Sequence, residues 1–311
     1  MSKIIAIVGA TATGKSALGV RLAKAFGGEI ISGDSAQVYR GMDIGTAKAS
    51  AAEQQGVPHY LIDVLDIKDP FSAGLFAQLG ADAARDILSR GKTPIVVGGT
   101  GFYVDALTGK NRLTPTADSD PEIRASLMEK AEKEGAGALH AYLREIDPVS
   151  AEEIHPNNVK RVARAIEIYL VTGKTKTELN RAPTEAGEFE RGLILLDCPD
   201  RGALYSRIDK RVDEMMEQGL EAEARRLWEQ GLADTPTASA AIGYKEFFPY
   251  FMGLVPLESA VDAIKQATRN YAKRQVTYFK RMEDAYALDC SMDKEELFLR
   301  AFDYCKEFLG I

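Results

Sequence analysis

Eight consecutive residues, Gly9, Ala10, Thr11, Ala12, Thr13, Gly14, Lys15 and Ser16, fit the pattern G-x-x-x-x-G-K-[ST]. Each fixed position has a physical task. The glycines let backbone N–H groups turn toward one anion, and a helix starting at Lys15 adds the positive end of its dipole. The Lys15 ammonium reaches the outer phosphate, and the Ser16 hydroxyl is the expected ligand of Mg²⁺. The pattern predicts a diphosphate or longer ligand. It does not say which one, and a kinase acting on a small alcohol carries the same loop.

A second chemical element follows at Asp34-Ser35-Ala36-Gln37. A carboxylate just past the carboxyl end of a strand lies beside the place where the first loop holds phosphate. Ser35 and Gln37 carry the donors and acceptors that read the edge of a base. An Asp at such a position also caps short helices.

These residues need a frame. Lys3–Val8 is continuously apolar after its first residue and ends in Gly9, as a strand buried on both faces does. Further strands are expected at Glu29–Ser32, Tyr60–Val64, Pro94–Val97 and Leu193–Leu196. Helical patterns cover Lys15–Phe26, Gly74–Arg90, Pro121–Lys133, Val159–Val171, Arg201–Gln218, Glu221–Glu229, Leu257–Met282 and Asp293–Leu309. The alternation predicts an α/β fold with a P-loop-type parallel sheet flanked by helices. From about Leu113 to Glu190 no strand pattern occurs, and turn residues Thr114-Pro115 and Ala186-Gly187 mark the edges. The expected organisation is therefore a core over 1–113, an all-helical insertion over 114–190, and a second part of the core over 191–311.

The 311 residues, 45% hydrophobic and 27% charged, belong to a folded globular protein. Three cysteines and three histidines are widely spaced, which argues against a zinc cluster. No apolar run reaches the roughly 18 residues that span a bilayer, and a cytoplasmic location is expected. A net charge of −7 argues against a protein that coats nucleic acid non-specifically, while leaving room for a local basic site.

The longer motifs are more specific. Asp34-Ser35-Ala36-Gln37-Val38-Tyr39-Arg40-Gly41-Met42-Asp43-Ile44-Gly45-Thr46-Ala47-Lys48, joined to Gly9–Ser16, resembles the tRNA dimethylallyltransferase family. So do Pro58–Asp63, Gly98–Tyr103, Ile154–Asn158, Ile242–Glu246 and Thr268–Gln275, and the resemblance runs from Ile4 to about Arg281. The sequence departs from the family pattern at Ala10 (usually proline), Tyr60 (often histidine), Ala240-Ala241 (where a glutamine is common) and Tyr278-Phe279-Lys280 (often Trp-Phe-Arg).

The resemblance implies transfer of a dimethylallyl group from its diphosphate to the exocyclic amine of the adenosine 3′-adjacent to a tRNA anticodon. The phosphate loop, Lys15 and Mg²⁺ would stabilise charge on the leaving diphosphate. An aromatic amine is a poor nucleophile, so a base is needed, and Asp34 is the candidate. The resemblance places Thr100 near the reacting centre and on the tRNA, and Arg207 in the diphosphate site. On its helix Arg207 stands with Asp209, Arg211 and Asp213, a grouping that solvated charge pairs also produce. It extends tRNA contacts to Asp34, Ser35, Ala36, Gln37, Arg124, Ile242, Gly243, Tyr244, Lys245 and Gln275.

Between Ala263 and Met282 six basic residues, Lys265, Arg269, Lys273, Arg274, Lys280 and Arg281, occur with no acidic one. At 100° per residue they share about half of a helix circumference, opposite Ile264, Ala267, Tyr271, Ala272, Tyr278, Phe279 and Met282, with Val276 the exception. Arg269, Lys273 and Arg274 are expected to meet a phosphate backbone, as are Lys160, Arg161 and Arg164 in the insertion. The expected partners are tRNA, through its anticodon stem-loop, and dimethylallyl diphosphate, with no membrane and a monomeric chain. Three other readings stay open at this point: a small-molecule kinase, an adenylate isopentenyltransferase, and a non-catalytic RNA-binding or GTPase-like module. The last lacks an Asn/Thr-Lys-x-Asp guanine-reading motif.

Overall fold

The computed structural model describes residues 1–109, 120–181 and 187–311. The chain divides into two compact units, Met1–Thr108 with Gly187–Ile311, and Gly109–Ala186.

The first unit is built on a six-stranded, wholly parallel sheet. Its strands are β1 (Ser2–Gly9), β2 (Glu29–Ser32), β3 (His59–Tyr60), β4 (Pro94–Gly98), β5 (Phe189–Asp197) and β6 (Tyr286–Asp289), in the order β3-β2-β4-β1-β5-β6. β1 is central and pairs with β5 from Ser2↔Phe189 to Gly9↔Leu196. Its side chains alternate between faces. Ile4, Ala6 and Val8 enter one core with Phe76, Ala84 and Ile87 of the Ala73–Ser89 helix. Ile5 and Ile7 enter a second with Leu18 and Leu22 of the Lys15–Ala25 helix and Ala301 and Cys305 of the Lys294–Leu309 helix. Both faces are dry, which is why the run is apolar at every position. Each isoleucine so buried contributes about 1.5–3 kcal/mol through apolar area alone.

Three expectations are corrected. The strand expected over Tyr60–Val64 stops at Tyr60, because Leu61 (φ 61°) and Asp63 (φ 56°) take left-handed backbone that no strand holds. β6 was not anticipated, since the apolar run at 285–288 is short and has no β-branched residue. β5 begins at Phe189, so an insertion boundary at 190/191 would cut a strand whose first residues, Phe189-Glu190-Arg191-Gly192, include two charges. The turn residues Thr114-Pro115 and the position Ala186 lie outside the described residues.

The second unit contains the helices Pro121–Glu134, Ala136–Ile146, Pro148–Glu153, Val159–Thr172 and Lys176–Arg181. Leu127, Leu139, Leu143, Ile154, Val162 and Ile166 form its core. Glu167 is fully buried there and accepts from Arg124, Arg164 and the Asp120 N–H, so a charge inside the core is matched by donors. His140 is buried with Nε2 2.9 Å from the carbonyls of Ala151 and Ile154. His155 is exposed, and its Nδ1 accepts from the Asn157 N–H at 3.2 Å, which fixes the local turn. Among the described residues no helix is long and apolar enough to cross a membrane.

One ion cluster locks the sheet edge. Glu29, the first residue of β2, is 2% exposed and meets Arg90 and Lys92, each at 2.6 Å, and the Tyr60 hydroxyl at 2.9 Å. The Arg90 hydrogen bonds hold its carboxyl down at about 2, against the cost of burial. A carboxyl whose folded value is depressed adds stability above its unfolded value of about 4.5, and that stability disappears as pH falls toward 2. Glu29→Gln should therefore lower stability at pH 7 by about 2 kcal/mol, the loss of charge-assisted hydrogen bonds. Denaturant melts of both proteins should converge between pH 4.5 and 2; a gap that stays constant across that range would show that Glu29 acts through shape and not charge.

Candidate active site

All strands run the same way, so the carboxyl ends of β1, β2 and β4 deliver the phosphate loop, Asp34 and Thr100 to one edge of the sheet. The exits of β2 and β4 nearly touch. Gly33 N donates to Val97 O at 2.9 Å, and a Cβ on Gly98 would lie 2.3 Å from the Gly33 carbonyl oxygen. Only glycine fits that approach.

The loop is shaped by left-handed backbone at Ala12 (φ 63°) and Gly14 (φ 89°). Thr13 Oγ1 and Lys15 Nζ both donate to the Ala10 carbonyl, at 2.8 and 2.6 Å. Burial, and next the neighbouring Arg211 charge, push the Lys15 ammonium down to about 7, against the pull of Asp34 and Cys290. Gln275 supplies the outer brace. Its Oε1 accepts from the Thr11 N–H at 2.9 Å and its Nε2 donates to the Gly99 carbonyl at 2.8 Å.

Asp34 is half-buried, and its Oδ1 accepts from the backbone N–H of Ala36 at 2.8 Å and of Gln37 at 3.4 Å. No helix follows Asp34, so it caps none; Oδ1 holds a turn instead, which occupies one oxygen. Oδ2 takes no hydrogen bond among the described residues. Two phenols stand within reach of its charge: Tyr103 and Tyr271 are both pushed up, first by burial and then by Asp34. Thr100 Oγ1 lies 3.5 Å from the Tyr271 hydroxyl.

Thr11, Asp34 and Tyr271 open onto a cavity of about 260 Å³. One wall is apolar, with Ile208, Val212 and Met215 from the Arg201–Glu217 helix and Ile264 from the Leu257–Phe279 helix. Thr11, Asp34, Arg211, Thr268, Tyr271 and Arg274 give it polarity, and Ala240–Gly243 close another side. Arg207, singled out in the sequence, turns its Nη1 to Cys290 Sγ at 3.2 Å and does not line the cavity. Arg211, one turn later, does, and its charge acts on Lys15 and is drawn on by Asp34. Its i+4 spacing from Arg207 was the available signal. It was submerged because Asp209 and Asp213 made the helix resemble a solvated charge ladder. Those acids instead pair across to Arg269 and Lys265.

The expected tRNA contacts separate into two sets. Some are engaged inside the fold. Gln37 donates from Nε2 to the carbonyls of Thr46 and Ala47 and accepts from Ser32 Oγ, so its amide reads the neighbouring loop. Tyr244 is fully buried, with its hydroxyl on Glu223, which also accepts from the N–H groups of Asp43, Ile44 and Gly45. Gln275 is 5% exposed, Arg124 and Arg164 grip Glu167, and Arg269 holds Asp209. Others reach the surface: Lys160, Arg161, Lys273 and Arg274 are exposed, Arg274 stacks over Tyr271, and Lys273 lies over Tyr205. Ser35, Ala36, Ile242, Gly243 and Lys245 line the cavity. Val276 is buried despite its position on the basic arc, because the arc that faces the core overlaps the basic one there. The Ser16 hydroxyl is exposed and takes no partner among the described residues, which fits a hard-oxygen ligand for Mg²⁺. Among the described residues no three His, Cys, Asp or Glu side chains stand together, so such an ion would be held mainly by phosphate and water.

A family model described as IPP transferase matches residues 37–282, a span that begins after the phosphate loop and Asp34. The tRNA dimethylallyltransferase of Geobacillus thermodenitrificans is 49% identical over 278 residues, 89% of this chain and 87% of that one. The protein of the same description from Shouchella clausii is 47% identical over 307 residues, 99% of this chain and 97% of its own. The crystal structure of a full-length tRNA isopentenylpyrophosphate transferase from Bacillus halodurans matches with a TM-score of 0.74 and 41% identity, covering 100% of this chain and 97% of that one. A eukaryotic dimethylallyltransferase studied acting on tRNA matches with a TM-score of 0.86 and 31% identity, covering 100% of this chain and 80% of its own.

The Gln275 brace generates a direct test. Gln275→Ala leaves the Thr11 N–H and the Gly99 carbonyl without partners, which should cost about 1–3 kcal/mol of stability and weaken pyrophosphate binding several-fold. Gln275→Glu keeps the acceptor but loses the donor, so it should not restore the loss. Calorimetric titration with pyrophosphate reads both, and wild-type affinity in the alanine variant would remove Gln275 from the site.

Proposed function

The chain belongs to the IPP transferase family and transfers a dimethylallyl group to tRNA, and on that premise we propose which atoms react and how the residues divide the work. The donor is dimethylallyl diphosphate, and the acceptor is N6 of the adenosine 3′-adjacent to the anticodon. The observation that supports this reading is the meeting of the phosphate loop, the Asp34 carboxylate and a part-apolar cavity at one sheet edge. A kinase needs the loop but has no use for an apolar wall beside a base.

In the transfer the allylic carbon–oxygen bond breaks, the N6–carbon bond forms, diphosphate leaves and one proton leaves the amine. The backbone N–H groups of the loop, Lys15 and Arg211 face the leaving diphosphate, where negative charge grows. Ser16 would hold Mg²⁺, which would supply further positive charge at the leaving group when bound. The apolar residues Ile208, Val212 and Met215 suit the five-carbon chain and keep water from the allylic centre. Asp34 takes the amine proton through Oδ2, while its hydrogen-bonded Oδ1 fixes the carboxylate in place. Tyr271 lines the same cavity, Thr100 stands 3.5 Å from its hydroxyl, and the two position the base. An adenine inside a stacked loop must be extruded to reach Asp34. The exposed cations Lys160, Arg161, Lys273 and Arg274 are assigned to the tRNA backbone.

Incubation with dimethylallyl diphosphate, Mg²⁺ and unmodified tRNA, followed by nucleoside mass analysis, tests the whole reading. An adenosine heavier by one isopentenyl unit beside the anticodon is the expected product; a prenylated free AMP or ADP instead would move the acceptor. Asp34→Asn should lower kcat by about 10²–10⁴-fold, the usual worth of a positioned base, with tRNA affinity changed only a few-fold. Equal losses in binding and turnover would contradict the base assignment.

Lys15 adds a pH dependence. Its ammonium sits at about 7 in the protein, and a bound diphosphate favours the charged form. Pyrophosphate affinity should therefore fall as pH rises above about 7. Lys15→Arg, charged throughout, should show the shallower slope in the same titration, and identical slopes would exclude Lys15 as the titrating group.

A further inference from the structure

The carboxyl ends of β5 and β6 carry a pair of cysteines. The register Asp197↔Asp289 makes Cys198 and Cys290 the next facing residues, and Cys290 N donates to Asp197 O at 2.8 Å. Cys198 Sγ donates to the Asp200 carbonyl at 3.5 Å. The two sulfurs have unlike surroundings. Cys290 is partly exposed and accepts from Arg207 Nη1 at 3.2 Å, which leaves its sulfur within reach of a small solute. Cys198 is 3% exposed and packs with Ala10 of the phosphate loop, Leu204, Ile208 and Val276. Burial pushes its thiol well up, and it is the less accessible of the two. The pair also touches the diphosphate site electrically, because charge on Cys290 acts on Lys15.

We propose that Cys290 and Cys198 are a redox-sensitive dithiol at the wall of the phosphate loop, with Cys290 attacking a hydroperoxide and Cys198 as the resolving thiol. The Cys290 thiolate displaces alkoxide or hydroxide from the peroxide and becomes a sulfenic acid, so sulfur is oxidised and the peroxide reduced to alcohol or water. The Cys198 sulfur then attacks Cys290, a disulfide forms, and hydroxide leaves with the Cys198 proton as water. The disulfide removes the Cys290 acceptor from Arg207 and tethers a residue packed directly on Ala10. Diphosphate binding should weaken as a result. Cys305 is fully buried and serves as the internal reference.

The test treats the intact, reduced protein with a small excess of hydrogen peroxide, alkylates what remains free, and maps peptides without reduction. A Cys198–Cys290 crosslink with Cys305 still alkylated after unfolding, reversed by dithiothreitol, is expected. In Cys198→Ser the same dose should leave a sulfenic acid on Cys290 that dimedone traps. Pyrophosphate titration before and after oxidation should show several-fold weaker binding, restored on reduction. Retention of both thiols, a crosslink through Cys305, or progression of Cys290 to sulfinic acid in the wild-type protein would overturn the proposal. A crosslink formed with pyrophosphate affinity unchanged would overturn its link to the loop. None of these readouts depends on tRNA or on prenyl transfer, so they fail or succeed independently of the assigned reaction.

Discussion

One side-chain carboxamide ties the site together. Gln275 accepts from the backbone of Thr11 and donates to the backbone of Gly99, joining the turn after β1 to the turn after β4. Those turns carry the phosphate loop and Thr100, and the exit of β2 that bears Asp34 is pressed against β4 by the Gly33–Gly98 approach. Gln275 is nearly dry, and the buried Gly99 carbonyl would otherwise lack this donor. A helix from the far end of the sequence therefore sets the distance between the anion cradle and the base. Its basic residues act on the surface while its buried glutamine acts on the geometry.

How much of this could be read beforehand follows from the range of each interaction. The phosphate loop was legible because its glycines, lysine and serine are consecutive and their tasks are backbone tasks. The central strand was legible because both its faces are buried. Gln275 was legible only as part of a motif, because its partners are main-chain groups whose identity no side chain advertises. Arg211 was hidden among acids that turned out to neutralise Lys265 and Arg269 on the next helix, which left it to the cavity. Gln37 carries the chemistry that reads a base, yet its three hydrogen bonds are all internal. Composition shows what a group can donate, and only packing shows to whom.

The buried acids share a common logic. Glu29, Glu167 and Glu223 are each enclosed and each surrounded by donors: cations for the first two, three backbone N–H groups and a phenol for the third. A charge so enclosed is costly alone and strongly orienting when satisfied. Asp34 differs. It is only half-buried, and one of its oxygens is left without a hydrogen bond among the described residues. The acids that hold the structure are saturated, and the one assigned to chemistry is not.

The pairing of β1 with β5 also has a meaning in time. The first strand made cannot complete its edge until residues 189–197 have been synthesised, long after β4, its other neighbour, is available. Every turn of the inserted helical segment is made in between. The nascent sheet therefore waits with one side of its central strand unpaired. The insertion, whose helices contact one another at short sequence separation, can gather its own core meanwhile. The order of synthesis thus places the slow, long-range closure of the central strand after the insertion, and the Gln275 brace later still.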